Sequence, residues 1–232
     1  MRHRVLYQLD CVAVDMCVAL NQRAQCGPHP PGVVPVPDDG RRHLGRLEEV
    51  LHRQWAAGTR PSAAVIGIID ALARLPRHIA DRVVEEVDAI YVGEGSVVDL
   101  QGMGHLRGQH TDPRNPRTLL WDEVPGIYSR GVMALGSVPH AGVSLVLHEV
   151  GHVLDIADRL MSETREWRDL HRACRPLLRR RILAEYRGEW WAEAFALAAS
   201  HMLGPMVRLL GGERRLAYRV TEYFQTYYGV VR

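Results

Sequence analysis

The sequence has no apolar run long enough to cross a membrane. Its longest, from Ala63 to Leu75, is broken by Asp70 and Arg74 and falls short of the roughly 20 residues a spanning helix needs. Cysteine is scarce: Cys11, Cys17, Cys26 and Cys174 form no Cys-x-x-Cys pair, which speaks against a thiolate zinc site and against a thioredoxin-type redox pair. Neither sign of charge dominates, since 29 basic and 27 acidic side chains leave a net +2, too little for the concentrated basic face of a nucleic-acid binder. No internal repeat is visible. The first twenty residues begin basic and turn apolar, but Asp10 and Asp15 interrupt the stretch that a signal peptide keeps uncharged, and no clear cleavage site follows. What is present is 232 residues that are 47% hydrophobic, enough to bury the core of one substantial domain.

Five prolines crowd into GPHPPGVVPVPDD, residues 27 to 39, and proline holds itself and its predecessor extended. Residues 1 to 40 therefore read as an N-terminal arm or linker, and residues 41 to 232 as the folded domain. Within HLGRLEEVLHRQW, Leu44, Leu47, Val50, Leu51 and Trp55 recur at helical spacing and predict an amphipathic helix. AAVIGIIDALARLP and RHIADRVVEEV predict two helices split at Pro76, and DAIYVGEG a strand. Residues 101 to 118 predict an irregular lobe, and GIYSRGVMALGS one or two short strands. A helix is expected from near His140, a mostly helical basic segment from Arg165 to a break near Gly188, and helices over EWWAEAFALAASHML and ERRLAYRVTEYFQTYY. The fold class expected is α+β, mostly helical, with a small sheet.

The chemistry concentrates in HEVGH. On a continuous helix His148 and His152 lie one above the other, so both imidazoles can reach one ion. Zinc takes imidazole nitrogen readily, and a catalytic site supplies three protein ligands and leaves a fourth position to water. Glu149, beside the first histidine, can sit next to that water and take its proton. Gly151, between them, would let another element approach closely. The bland alternative is two histidines hydrogen-bonded in a core.

A third ligand is sought among Glu185, Glu189 and Glu193. EWWAE sets Glu189 and Glu193 one turn apart on an otherwise apolar helix. Such a pair suggests that one binds metal while the other accepts the free N–H of a ligand histidine, and a cation would relieve their repulsion. Asp155, on the histidine face, is either another such acceptor or an ordinary exposed acid.

HEVGHVLD followed by EWWAEAFALAAS resembles the zinc metallopeptidase domain of the anthrax lethal factor family. IYVGEG and WDEVPGIY match more loosely, so that residues 65 to 200 are covered. The resemblance implies a zincin-like metallopeptidase fold with Zn2+ as cofactor. It makes Glu189 the third zinc ligand, beside His148 and His152, with Glu193 behind the ligands and Glu149 the general base. The family's tyrosine, seven residues before the third ligand, is Ile182 here, which leaves Tyr186, three residues before Glu189, as the oxyanion donor. A peptide would bind by strand addition along the Val132 to Leu135 strand.

The function expected is therefore a zinc endopeptidase acting on a protein or peptide substrate; the alternative is a zinc-bearing regulatory or binding module without turnover. No nucleic-acid partner is expected: the run Arg172, Arg175, Arg179, Arg180 and Arg181 reads as a solvated helix face, an acidic-substrate patch being the lesser reading. The tyrosines of the last helix read as packing residues, and His105, His110 and His140 as loop residues outside the site. The resemblance implies secretion, whereas the unclear leader would leave the chain cytoplasmic.

Overall fold

A computed structural model describes residues 26–230; the expectations on the leader, Cys11 and Cys17 lie outside them. Four short strands, β1 (Leu51–Arg53), β2 (Ala89–Val92), β3 (Gly126–Ser129) and β4 (Val132–Leu135), form one sheet in the order β1-β2-β4-β3. The first three in that order run parallel, and β3 runs antiparallel to β4 at the edge. β1 reaches β2 through a crossover of two helices, α1 (Ala63–Ala73) and α2 (Arg77–Glu86), the usual way of joining parallel neighbours. Ser62 Oγ caps α1 by accepting from the Val65 N–H, and Pro76 starts α2 where its missing N–H is harmless.

Alternation along the strands sorts side chains between two faces. Ile90, Val92, Met133 and Leu135 point into the main core. Tyr91, Val132, Ala134 and Ile127 point the other way, onto Val97, Leu100, Leu106 and Trp121 of the irregular lobe. The predicted lobe is thus a second, smaller apolar layer that covers the outer face of the sheet.

The remaining helices are α3 (Leu145–Ala157), α4 (Arg165–Cys174), α5 (Arg181–Glu185), α6 (Arg187–Ala199), α7 (Leu203–Leu209) and α8 (Arg214–Tyr228). All nine residues from Trp190 to Ala198 are buried, so α6 is the central helix, and over that stretch it is apolar on every face except at Glu193. Trp167 of α4 and Tyr223, Phe224 and Tyr228 of α8 surround Trp191 and Phe195 in an aromatic cluster with mostly edge-to-face contacts. Across it, α3 meets α6 at Gly151, where a Cβ would lie 2.8 Å from the Ala192 Cα. Only glycine permits that approach.

Four expectations are corrected. Residues 41 to 55 are no helix: a 3₁₀ turn at Gly45–Glu49 leads into β1. Leu44, Leu47, Leu51 and Trp55 are buried as expected, but the chain extends at Leu51 because β2 offers it a ladder. Arg53, 2% exposed, is held there by Glu48 at 2.7 and 2.8 Å and by the carbonyls of Gly40 and Arg42. Second, β4 is paired on both sides, so the open edge beside α3 is β3. Third, α3 begins at Leu145, where Ser144 Oγ accepts from the Leu147 N–H, rather than near His140. Fourth, the break in the basic segment falls at residues 178–180 and at Tyr186, while Gly188 lies inside α6. Of the last helix's tyrosines, Tyr223 and Tyr228 are core residues; Tyr227 stays exposed and donates to Glu166 at 2.7 Å.

Candidate metal centre

α3 turns His148 and His152 toward the first turn of α6, where Glu189 projects back at them. His148 Nε2 lies 3.2 Å from His152 Nε2. Glu189 Oε2 stands 3.6 Å from His148 Nε2, and its Oε1 3.6 Å from His152 Nε2. Four ligands held tetrahedrally at zinc distances stand about 3.3 Å from one another, and one atom from each of these three residues lies within 4.8 Å of the others, a spacing from which three corners around one ion can close. Two nitrogens and a carboxylate oxygen are also the donor types zinc accepts in catalytic sites.

The next layer is fixed from α6. His148 Nδ1 donates to Glu193 Oε2 at 3.2 Å, a bond buried between the helices. It leaves Nε2 with its lone pair toward the cluster. Glu193 Oε1 faces Arg180 Nη1 at 3.9 Å. Burial disfavours charge on both histidines: it lowers the pKa of His152 to about 4, while in His148 it is outweighed by the hydrogen bonds to Glu189 and Glu193, which raise that pKa. For Glu189 burial is likewise outweighed, chiefly by His148, and the carboxyl stays ionised well below its ordinary range. Glu193 is likewise held low against burial by His148 and Arg180, so two ionised carboxylates stand beside the histidines, where a cation would be favoured.

Glu149, 5% exposed, packs against Gly126 of β3 while remaining within reach of the charges of His148 and Glu189. A Cβ at Gly126 would lie 3.1 Å from its Oε1 and 2.6 Å from Leu145 Cδ1, so glycine on the edge strand makes room for this carboxylate. Burial pushes its pKa up to about 7, with His148 opposing and Glu189 adding to the rise. A carboxyl near that value can both accept and return a proton at neutral pH.

The structure thus brings His148, Glu149, His152, Glu189 and Glu193 together and keeps Asp155 apart. Asp155 is buried rather than exposed, yet it meets no histidine: Ser162 donates to it through its N–H at 2.6 Å and its hydroxyl at 2.7 Å. It anchors the turn that follows α3. Tyr186 stands at the cap of α6, 39% exposed; its backbone bonds Ile182 and Trp190, while its hydroxyl has no hydrogen-bonding partner among the described residues. The residue that sequence reasoning passed over is His140. Its ring lies 5.5 Å from that of His148, it can join His148 and Glu193 in a second group of ligand type, and its Nε2 is buried without a partner. No spacing rule links a histidine eight residues upstream to the helix motif, because Gly142 folds the chain back: a Cβ there would lie 2.4 Å from His140 Nε2 and 2.6 Å from Glu193 Oε2.

A family model described as Anthrax toxin lethal factor, N- and C-terminal domain, matches residues 61–201. The chain belongs to the anthrax toxin lethal factor family. Both helices of the seam, and the strands beside them, fall within the matched span. No curated protein matches the chain. Among solved structures, the Pro-Pro endopeptidase PPEP-2 from Paenibacillus alvei is similar with a TM-score of 0.60 at 19% identity, over 75% of this chain and 99% of that one. At that identity the likeness is one of fold, and it gives this lethal factor family member the α+β, zincin-like peptidase architecture.

Proposed function

We propose that the chain is a zinc-dependent endopeptidase. The observation that carries the reading is the convergence from two helices of His148 Nε2 and His152 Nε2, 3.2 Å apart, and the Glu189 carboxylate, whose two oxygens each stand 3.6 Å from one of them. When bound, zinc would polarise the scissile carbonyl and make a water more acidic. His148, His152 and Glu189 would hold it, and Glu193 would fix the ring of His148. Glu149 takes a proton from the attacking water and returns it to the leaving amine, a task suited to a carboxyl whose pKa burial has raised. The substrate backbone pairs with the free edge of β3, whose Gly126 leaves the approach to Glu149 open. We assign oxyanion donation to Tyr186, the exposed tyrosine that precedes α6.

Glu149→Gln is expected to keep its zinc and lose cleavage of a peptide library that includes Pro-Pro bonds, for which the fold neighbour is named. Cleavage retained by this variant rejects the mechanism. The exposure of Ile182 and Tyr186, 46% and 39%, favours one alternative, a zinc-bearing binding module without turnover. Zinc-loaded wild-type protein that cleaves nothing in the library would establish it.

A further inference from the structure

Two arginines of the basic run lie in a break between helices rather than on the solvated helix face that the sequence suggested. The chain leaves its helical path at residues 178–180, and Arg179 and Arg180 line an open pocket of about 670 Å³, which Arg208 of α7 lines as well. Glu193 is the pocket's one acidic lining residue, and its Oε2 is already engaged by His148. Among the described residues neither Arg179 nor Arg208 has an acidic partner, a state they share with other exposed arginines such as Arg114 and Arg117; what sets them apart is that they line one pocket with Arg180. Three guanidinium groups around one space, with a single committed carboxylate, leave an excess of positive charge that an anion would neutralise. Guanidinium groups bind carboxylates in a bidentate way.

The walls say more about the anion. Val207 and Leu209 supply apolar surface beside the arginines, and Gly212 leaves open space at the rim, with no atom within 4 Å of where a Cβ would be. A bare phosphate would leave that apolar surface wet, whereas an aliphatic body ending in a carboxylate would cover it. We propose that this pocket is a binding site for a carboxylate on a short aliphatic stem, either the side chain of a glutamate in a peptide or a free dicarboxylate. The site lies directly behind the metal centre: its Arg180 faces Glu193, whose other oxygen holds His148.

The test uses the full chain loaded with zinc and carrying Glu149→Gln, so that a peptide is not consumed and binding is read apart from cleavage. Succinate is titrated calorimetrically. Two labelled alanine-rich peptides, alike except for a central glutamate or glutamine, are followed by fluorescence anisotropy. Both are repeated with Arg179→Gln plus Arg208→Gln, and with Arg114→Gln plus Arg117→Gln on the distant lobe as a charge-matched control. All four arginines are exposed, and thermal unfolding checks that the variants fold. The pocket pair is expected to weaken binding about tenfold or more, and the control pair to leave it unchanged. An effect on succinate alone identifies a free dicarboxylate; preference for the glutamate peptide, lost in the pocket pair, identifies a substrate side chain. No binding by either probe, or equal binding by the pocket and control pairs, overturns the proposal.

Discussion

The seam between α3 and α6 and the wall in front of it are built on different principles. In the seam Val150, Val153, Trp190, Trp191 and Ala192 are fully buried, and the ionisable groups there face one another across the helix pair: His148 meets Glu193, and both histidines meet Glu189. The wall combines two segments: residues 178–186, where Ile182 and Tyr186 are exposed, and β3, which presents an open strand edge. On the proposed function, holding a metal would be a matter of core packing, while positioning a substrate would fall to groups nearer the surface. Changes to the ligand side chains of the seam should act on zinc first, and changes in the wall, like Glu149→Gln, on turnover with zinc intact.

The largest effect is expected from Glu189→Ala. Removing a donor that faces both histidines should weaken zinc binding by more than the roughly 100-fold that loss of an outer partner can cost, and dialysed protein should emerge without stoichiometric metal. Tyr186→Phe sharpens the contrast from the other side: kcat should fall about 100-fold while zinc content stays at one per chain. Loss of zinc in that variant would break the division. Gly151→Ala probes the seam by packing alone. Its added methyl meets the Ala192 backbone at 2.8 Å and should cost about 2 kcal/mol in denaturant unfolding, with weaker zinc binding as the helices part. Smallest is Glu193→Gln, which keeps an acceptor for His148 Nδ1 but removes its charge, and should loosen zinc about tenfold in competition with a chelator.

The same contrast explains what could be read from the sequence. His148, His152, Glu189 and Glu193 were legible because each pair sits on one helix, where spacing fixes the face. Gly151 was legible as a point of close approach, though not that Ala192 is what approaches. The segment from Leu44 to Trp55 misled because a 3₁₀ turn followed by a strand buries the same apolar residues as a helix; the deciding partner, Ile90 opposite Leu51, lies far along the chain. The open edge was misassigned to β4 for the same reason, since strand order is set by pairing at a distance. His140 and Arg180 reach Glu193 only through turns in the chain, which leave no periodic trace. Asp155 does share the histidine face, but Ser162 captures it.

Zinc-edge X-ray absorption on the purified full chain, combined with metal analysis, tests the central claim most directly. The account predicts one zinc per chain with only nitrogen and oxygen neighbours at about 2.0–2.2 Å and an imidazole signature from two histidines. A chain that retains no zinc when purified in its presence, or a sulfur neighbour at about 2.3 Å, would contradict it.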